Sequence, residues 1–510
     1  MPARTAPAGA RLSQRWLAGL SLAYLLLPVA IFSVGWLRPL VGWPLAALLC
    51  WVGYRGLARP SRGGEPLVLG MAGALTAVVL AVWVWLSGIG GLAFQNQDHQ
   101  WRNAVLNDLI SHAWPVTFAP THPGEGSATL VYYIGFWLPA ACVGKVFGPV
   151  SAHVALLLWA WCGVALACGL VSQRLRSSLP FAAMILVFFS GLDCVGTLIK
   201  RIEAPGGYPG LWPPVQHLEW WGSYLGYSAM TSQLFWVFNQ SIPLWLSVLL
   251  VEGGLTRARL LLVFSLCAFF APLPAFGFAP IAGCTIVFAG DGSGMSFSLI
   301  GLKGRLKELL TVENVLGGLG VLIVALLYLG ANRNAGAWWL RIPRPIDWLV
   351  FFVLEAGLFL ALVFARQRRN PLYYLSIVVL FAIAPPIAVG SSSDFTMRVS
   401  LPFIVLLMLW SAEVVLRDRG WRRTLMIGLL VLGAVTPLFE INRSLWRTGA
   451  HILDLPLGQR LRTGQAWWPE LDHPTTLTAD RVPTLGMEPR HPNFVTSIEG
   501  SLFDRYLMKK

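Results

Sequence analysis

The chain has 510 residues, of which 56% are hydrophobic and only 12% charged, about half the charged fraction of a soluble domain. That composition excludes a soluble enzyme or an ordinary nucleic-acid-binding module. The formal net charge of +14 is dispersed between apolar runs. It reads as membrane topology and contact with anionic lipid, and nucleic acid is not an expected partner.

The first apolar run follows the stretch MPARTAPAGARLSQRW, which imitates a secretory signal. It extends from Trp16 to Trp36, long for a signal core and without a convincing small-residue cleavage site, so it reads as a retained first helix. A helix of about 17–25 apolar residues crosses a hydrocarbon core of roughly 30 Å. Runs of that kind predict spans near 16–36, 40–54, 66–88, 150–171, 179–199, 232–251, 258–273, 275–290, 314–330, 346–365, 371–390, 400–416 and 424–440. The expected fold class is all-α, a polytopic membrane protein with about 13 transmembrane helices. Residues 1–440 form the membrane domain, and 441–510 form an outer tail that folds as a small cap. All seven cysteines lie in apolar segments without metal-ligand spacing, so neither a disulfide framework nor a zinc site is expected.

The segment from Leu130 to Phe147 reads as a shallow surface helix, because only then do the basic residues alternate along the chain. Arg4, Arg11 and Arg15, then Arg55, Arg59 and Arg62, Arg174 and Arg176, and Arg257 and Arg259 share one side. Lys303, Arg305 and Lys307, Arg366, Arg368 and Arg369, and Arg417, Arg419, Arg422 and Arg423 join them. The positive-inside rule makes that side cytoplasmic, so the N-terminus is inside and loop 89–149 and the tail are outside. The expected location is a bacterial cytoplasmic membrane. Two prolines in Ala271-Pro-Leu-Pro-Ala-Phe-Gly277 divide one apolar run into two helices. The later stretch SLIGLKGRLKELLTVEN reads as an amphipathic helix on the inner surface.

Loop 89–149 is the longest polar interval and gathers Asp98, His99, Arg102, Asp108, His112, His122 and Glu125. Trp101, Val105, Leu109 and His112 recur at helical spacing, which predicts an in-plane amphipathic helix starting near Asp98. A carboxylate in that first turn is favoured by free backbone N–H groups, and a pairing with Arg102 one turn on explains it structurally. The same carboxylate suits a general base, with His99 assisting and Asp108 as a second acidic candidate.

The outer loop Ser391-Ser-Ser-Asp-Phe-Thr-Met-Arg398 offers Arg398 with hydroxyls and helix-start N–H groups, a receptor for phosphate. An Asp394–Arg398 ion pair closing the loop is the structural alternative. Arg333, Arg341, Glu203, Tyr132 and Tyr133 complete the candidate substrate-binding set, among tryptophan-rich outer loops that suit either sugar rings or lipid headgroups. Glu355, in mid-span, reads as a hydrogen-bonded packing residue, with an ion or proton path as the functional alternative.

Several of these features together resemble the layout of the GT-C superfamily, membrane glycosyltransferases that use polyprenyl-phosphate-linked sugars. They are Asp98 early in a large outer loop, the surface helix from Leu130-Val-Tyr-Tyr133 to Gly144-Lys-Val-Phe-Gly148, and the next span ending at Arg174–Arg176. The Ala271–Gly277 break and the late outer Arg398 complete the likeness, which covers roughly residues 66–420. The chain departs from that layout in three ways. Two extra spans precede the loop, Asp98 stands without a paired acidic motif, and no large soluble C-terminal domain follows.

The resemblance implies an inverting transferase in which Asp98 takes a proton from an acceptor hydroxyl. Arg398, with Arg333 or Arg341, would steady the departing polyprenyl phosphate. The implied partners are the lipid-linked donor, membrane lipid, and a glycan, lipid or protein acceptor. No cofactor is specified and a divalent cation is left open. A lipid-linked glycan polymerase or ligase, and a transporter or flippase coupled through Glu355, are the alternative functions.

Overall fold

A computed structural model of the protein describes residues 10–12, 14–58, 67–120, 127–203, 217–290, 295–296, 299–332, 338–340, 342–368, 371–383, 387–389, 394–452, 476–477 and 493–510. Its long elements are all helices, the form in which an apolar chain satisfies its own backbone in lipid. In chain order they are α1 (Gln14–Trp36), α2 (Pro39–Ala58), α3 (Met71–Leu86), α4 (Asp98–Ser111), α5 (Leu138–Phe147), α6 (Pro149–Leu175), α7 (Leu179–Phe188), α8 (Asp193–Glu203) and α9 (Met230–Glu252). Then come α10 (Leu260–Phe270), α11 (Pro272–Val287), α12 (Leu299–Glu308), α13 (Glu313–Leu329), α14 (Pro345–Gln367), α15 (Pro371–Ile383), α16 (Asp394–Arg417), α17 (Trp421–Gly433) and α18 (Val435–Ile452).

Each predicted span overlaps a helix, although the described ends of 66–88, 275–290 and 371–390 include the short strands Leu67–Leu69, Ala289–Gly290 and Ile387–Val389. Among the described residues, eight helices are long and apolar enough to cross a membrane, or up to nine if the pair Gly301–Glu308 and Glu313–Leu329, bent by 68°, is one span. The helices at the other predicted positions are shorter. α3 and α11 have 16 residues each, α15 has 13 and α10 has 11. The protein is therefore a multi-pass, mostly helical membrane protein.

The ends of the bundle are defined by ion pairs. Arg174, at the end of α6, bonds Glu252 at the end of α9 (3.1 Å) and Glu413 near the end of α16 (2.6 Å). Arg55, at the end of α2, bonds Glu313 at the start of α13 (3.1 Å). Arg55 and Arg174, from turns predicted to share one side of the membrane, thus take their partners at one end of the bundle. Arg59, Arg62 and Arg369 lie outside the described residues. Arg398 precedes Glu413 on the same helix by roughly 22 Å of rise, which places it at the opposite end.

α4 starts at Asp98, as the spacing predicts, but it is not an amphipathic helix on a surface. His99 through Leu109 are buried on every side. Phe238 of α9 stacks against His99 at 5.7 Å from one direction. The tail covers another: Phe494 stacks on Trp101 at 5.4 Å, and Leu477 N–H donates to Asp108 Oδ2 (2.9 Å). Val495–Thr496 then pairs with Ala128–Leu130, the middle strand of a three-stranded antiparallel sheet with Thr117–Phe118. The chain end is anchored through its backbone, with Lys509 N–H donating to Trp36 O (2.8 Å) and Arg38 Nε to Met508 O (3.2 Å), while Lys509 and Lys510 are exposed.

α9 is broken in mid-course at Val237 (φ −140°, ψ 35°). Carbonyls freed inside a bilayer need replacement donors. Ser241 Oγ donates to Gln233 O (3.0 Å), while Asn96 Nδ2 (2.8 Å) and His99 Nε2 (3.3 Å) both meet Phe235 O. Loop 89–149 is therefore docked into the break of a membrane helix. The predicted division at Ala271 is present too, with Pro272 at the first position of α11, where its missing N–H costs nothing. Arg305 of α12 closes α11 by donating to Ile286 O (2.8 Å) and Val287 O (2.7 Å).

Candidate functional site

Asp98 sits in the first turn of α4, with Gln97 as the cap residue. Its Oδ2 accepts from Arg102 Nη2 at 3.1 Å; the Asp98 side chain is 40% exposed and that of Arg102 only 9%. The Arg102 guanidinium lies 5.2 Å over the ring of Phe238. Its Nη1 is buried and has no hydrogen-bond partner among the described residues. Burial lowers the Arg102 pKa, Asp98 and Tyr132 oppose the shift, and Arg398 is near enough to lower it further.

Tyr132 and Tyr133 leave the strand Ala128–Leu130 side by side, with ring centroids 3.7 Å apart and hydroxyls 2.5 Å apart. The Tyr133 oxygen also accepts from Arg398 Nη1 (2.8 Å) and Gln240 Nε2 (3.2 Å). Two hydroxyl hydrogens serve one bond between the tyrosines, so the second has no acceptor among the described residues. Loop 89–149, α9 and α16 thus bring two guanidiniums, an orphan N–H and a spare O–H to one place, with a half-exposed carboxylate beside them. Gln240 Oε1 there also lacks a partner among the described residues. Like charges held near one another away from water are costly unless an anion joins them.

The other candidates separate into different roles. His99 is engaged away from the carboxylate. It is buried, its Nε2 faces Phe235 O and its Nδ1 faces Gln95 Nε2 (3.4 Å). Burial, seconded by Arg102, pushes its pKa down to about 3. The unfolded chain takes up a proton near pH 6.5 that the folded protein refuses. The His99 contribution to stability is therefore complete above about pH 6.5 and is lost as pH falls toward 3. Thermal unfolding followed from pH 7 to pH 4 should show a shallower loss in His99→Gln than in the parent.

Asp108 is also removed from the group around Asp98. It lies ten residues on, about 15 Å along α4, and holds the tail through Leu477 N–H. Burial raises its pKa to about 6, against the opposing pull of that N–H and of His112. Glu203 is exposed and paired with Lys200 (2.8 Å), which also approaches Asp347 at 3.9 Å. Arg333, Arg341, His122 and Glu125 lie outside the described residues, as does the side chain of Asp394. The loop strand Trp338–Leu340 pairs with Ile387–Val389, so these two late loops meet. Among the described residues, no three His, Cys, Asp or Glu side chains converge to hold a metal ion, so a divalent cation has no such ligand set here.

One network escaped the sequence reading. Glu355 is not an isolated charge: its carboxyl contacts that of Asp193, and Trp221 Nε1 donates to both, at 3.3 and 3.2 Å. Ser190 (3.0 Å) and Thr436 (3.1 Å) donate to the other Asp193 oxygen. His217 bridges Glu219 (3.2 Å) and Glu440 (2.7 Å), and Glu440 continues to Arg443 (2.5 Å). Burial pulls the His217 pKa down, yet Glu440 and Glu219 together outweigh it and lift it to about 10.

Arg447 stacks over Phe94 at 4.6 Å and Thr448 Oγ1 accepts from Phe94 N–H (3.0 Å), tying α18 to the loop that carries Asp98. Glu440, Arg443 and Arg447 fall at i, i+3 and i+7, one helical face. That spacing was the available signal in the sequence.

Elsewhere, a cleft of about 840 Å³ lies between α1, α2, α3 and α6, walled by Leu17, Leu27, Leu80, Trp159 and Leu166 with no carboxylate, histidine or basic side chain. Its chemistry suits hydrocarbon. No protein-family model, curated protein or solved structure matches this chain, so the site itself carries the functional argument.

Proposed function

We propose that the protein is a membrane glycosyltransferase of the GT-C kind. It transfers a sugar from a polyprenyl-phosphate donor to an acceptor hydroxyl at the outer face of a bacterial cytoplasmic membrane, with about thirteen crossings and the N-terminus inside. The observation that carries this reading is the donor-rich group of Arg102, Arg398 and the tyrosine pair beside the half-exposed Asp98.

In the proposed step the acceptor oxygen attacks the anomeric carbon and gives its proton to Asp98. The bond from that carbon to the phosphate oxygen breaks, and its electron pair leaves with the polyprenyl phosphate. Arg102 and Arg398 hold the added charge, an effect worth a few kcal/mol in comparable sites. Attack opposite the leaving group inverts the anomeric centre. The test is release of polyprenyl phosphate by the purified protein in vesicles, from a panel of labelled polyprenyl-phosphate hexoses and pentoses. Release that depends on an added acceptor supports the reading, and no release from any donor counts against it. A lipid-linked glycan polymerase or ligase would share this phosphate site and differ in making products that grow by repeated additions.

The buried Asp193–Glu355–Trp221 contact favours a second reading, transport coupled through Glu355, since ionisable groups inside a membrane mark ion or proton paths. In sealed vesicles Glu355→Gln should then abolish substrate movement. The transfer reading expects catalysis to persist in that variant.

A further inference from the structure

At the end of the bundle remote from Asp98, a cavity of about 270 Å³ opens between α1, α6 and the turn from α9 to α10. Gln173, Arg174, Gly253, Thr256, Arg259 and Glu313 stand in its wall. Arg174 is committed to Glu252 and Glu413. Arg55, next to the cavity, is committed to Glu313 and lies 4.5 Å over Trp51. Arg259 differs. Among the described residues its guanidinium has no hydrogen bond and no close ion pair, and it feels Glu313 and Arg55 only at longer range. Gln173 carries the second unmet demand: its Nε2 and Oε1 are both shielded from solvent and both without a partner among the described residues.

The charges divide unevenly. Arg174 is outnumbered by two glutamates, whereas Arg55 and Arg259 outnumber Glu313. The positive surplus therefore falls on the residue whose guanidinium is unbound. A guanidinium and an amide in the wall of one cavity, neither with a hydrogen-bond partner among the described residues, offer donors that match phosphate oxygens. The cavity is slightly smaller than the roughly 300–1,000 Å³ of common small-ligand pockets, enough for a phosphate with its first ester substituent and too small for a nucleotide. Basic pockets between membrane helices at this depth commonly receive anionic headgroups.

We infer that this cavity is a binding site for a phosphate group, held by Arg259 and Gln173 and distinct from the group around Asp98. The site stands whether or not the transfer reading does. Its source is either a lipid headgroup or a soluble phosphate, and the chemistry is shared.

The test uses full-length protein in phosphatidylcholine nanodiscs, with phosphatidic acid added to the bilayer in one arm and inorganic phosphate added to the buffer in the other. Bound lipid is read by native mass spectrometry and phosphate by its shift of the unfolding temperature against an equal concentration of chloride. The parent should bind at least one probe. Arg259→Gln and Gln173→Leu, each inserted and folded with the parent's unfolding temperature in the absence of probe, should bind it about tenfold more weakly. Binding of phosphatidic acid alone assigns the site to a headgroup, and binding of inorganic phosphate as well assigns it to soluble phosphate. Parent-like binding of both probes by both variants overturns the proposal, as does failure of the parent to bind either.

Discussion

Replacing Asp98 with asparagine is expected to slow transfer by roughly 10²–10⁴-fold, the usual worth of a positioned general base, in a protein that remains folded and inserted. Asparagine keeps an oxygen for Arg102, and the side chain is 40% exposed, so little stability rests on its charge. What it loses is the capacity to take a proton. Single-turnover transfer from a labelled lipid-linked donor is the appropriate readout, because a residue that only capped the helix would change stability without removing the chemical step. Turnover near the parent's would take Asp98 out of the mechanism and return it to a first-turn carboxylate paired with Arg102.

Arg398→Gln is expected to reduce turnover by about 10²–10³-fold through loss of charge stabilisation on the leaving phosphate. The expected signature is a fall in kcat larger than any rise in KM, since the charge it meets grows as the donor bond breaks. Arg398 lies near enough to Arg102 for the two to feel each other electrostatically. Their conservative lysine variants should therefore be non-additive in a double-mutant cycle. Tyr133→Phe removes the hydroxyl to which Arg398 donates and should show a milder loss of the same kind. Additive lysine variants with unchanged kcat would mean that the two arginines serve separate sites.

Helical segments, the start of α4 and the break at Ala271 were legible because each depends on local rules: apolar length, a first-turn carboxylate and proline chemistry. The approach of Arg398 to loop 89–149 followed from alternation of basic turns. Arg398 reaches Tyr133, while Glu413 on the same helix reaches Arg174.

The burial of α4 was not legible. Its covering comes from Phe494 and Leu477, nearly four hundred residues later, and from a bend in α9 that no proline or glycine marks at Val237 itself. For that reason His99, which the spacing offered as an assistant to Asp98, is instead a plug for a freed carbonyl. Arg102 looked like a partner for one carboxylate, yet its aromatic platform and its neighbour Arg398 belong to other helices. The network of Asp193, His217, Glu219, Glu355 and Glu440 draws on separate segments with no common period. No window along the chain could assemble it.

The most direct measurement is a cryo-EM map of the protein in nanodiscs with a polyprenyl phosphonate sugar, in which the cleavable oxygen is replaced by carbon. The expected map places the phosphonate between Arg102 and Arg398, with the anomeric carbon facing Asp98. Density for the headgroup at another end or face of the bundle, with the Asp98 group empty, would contradict the assignment of this chain as a transferase.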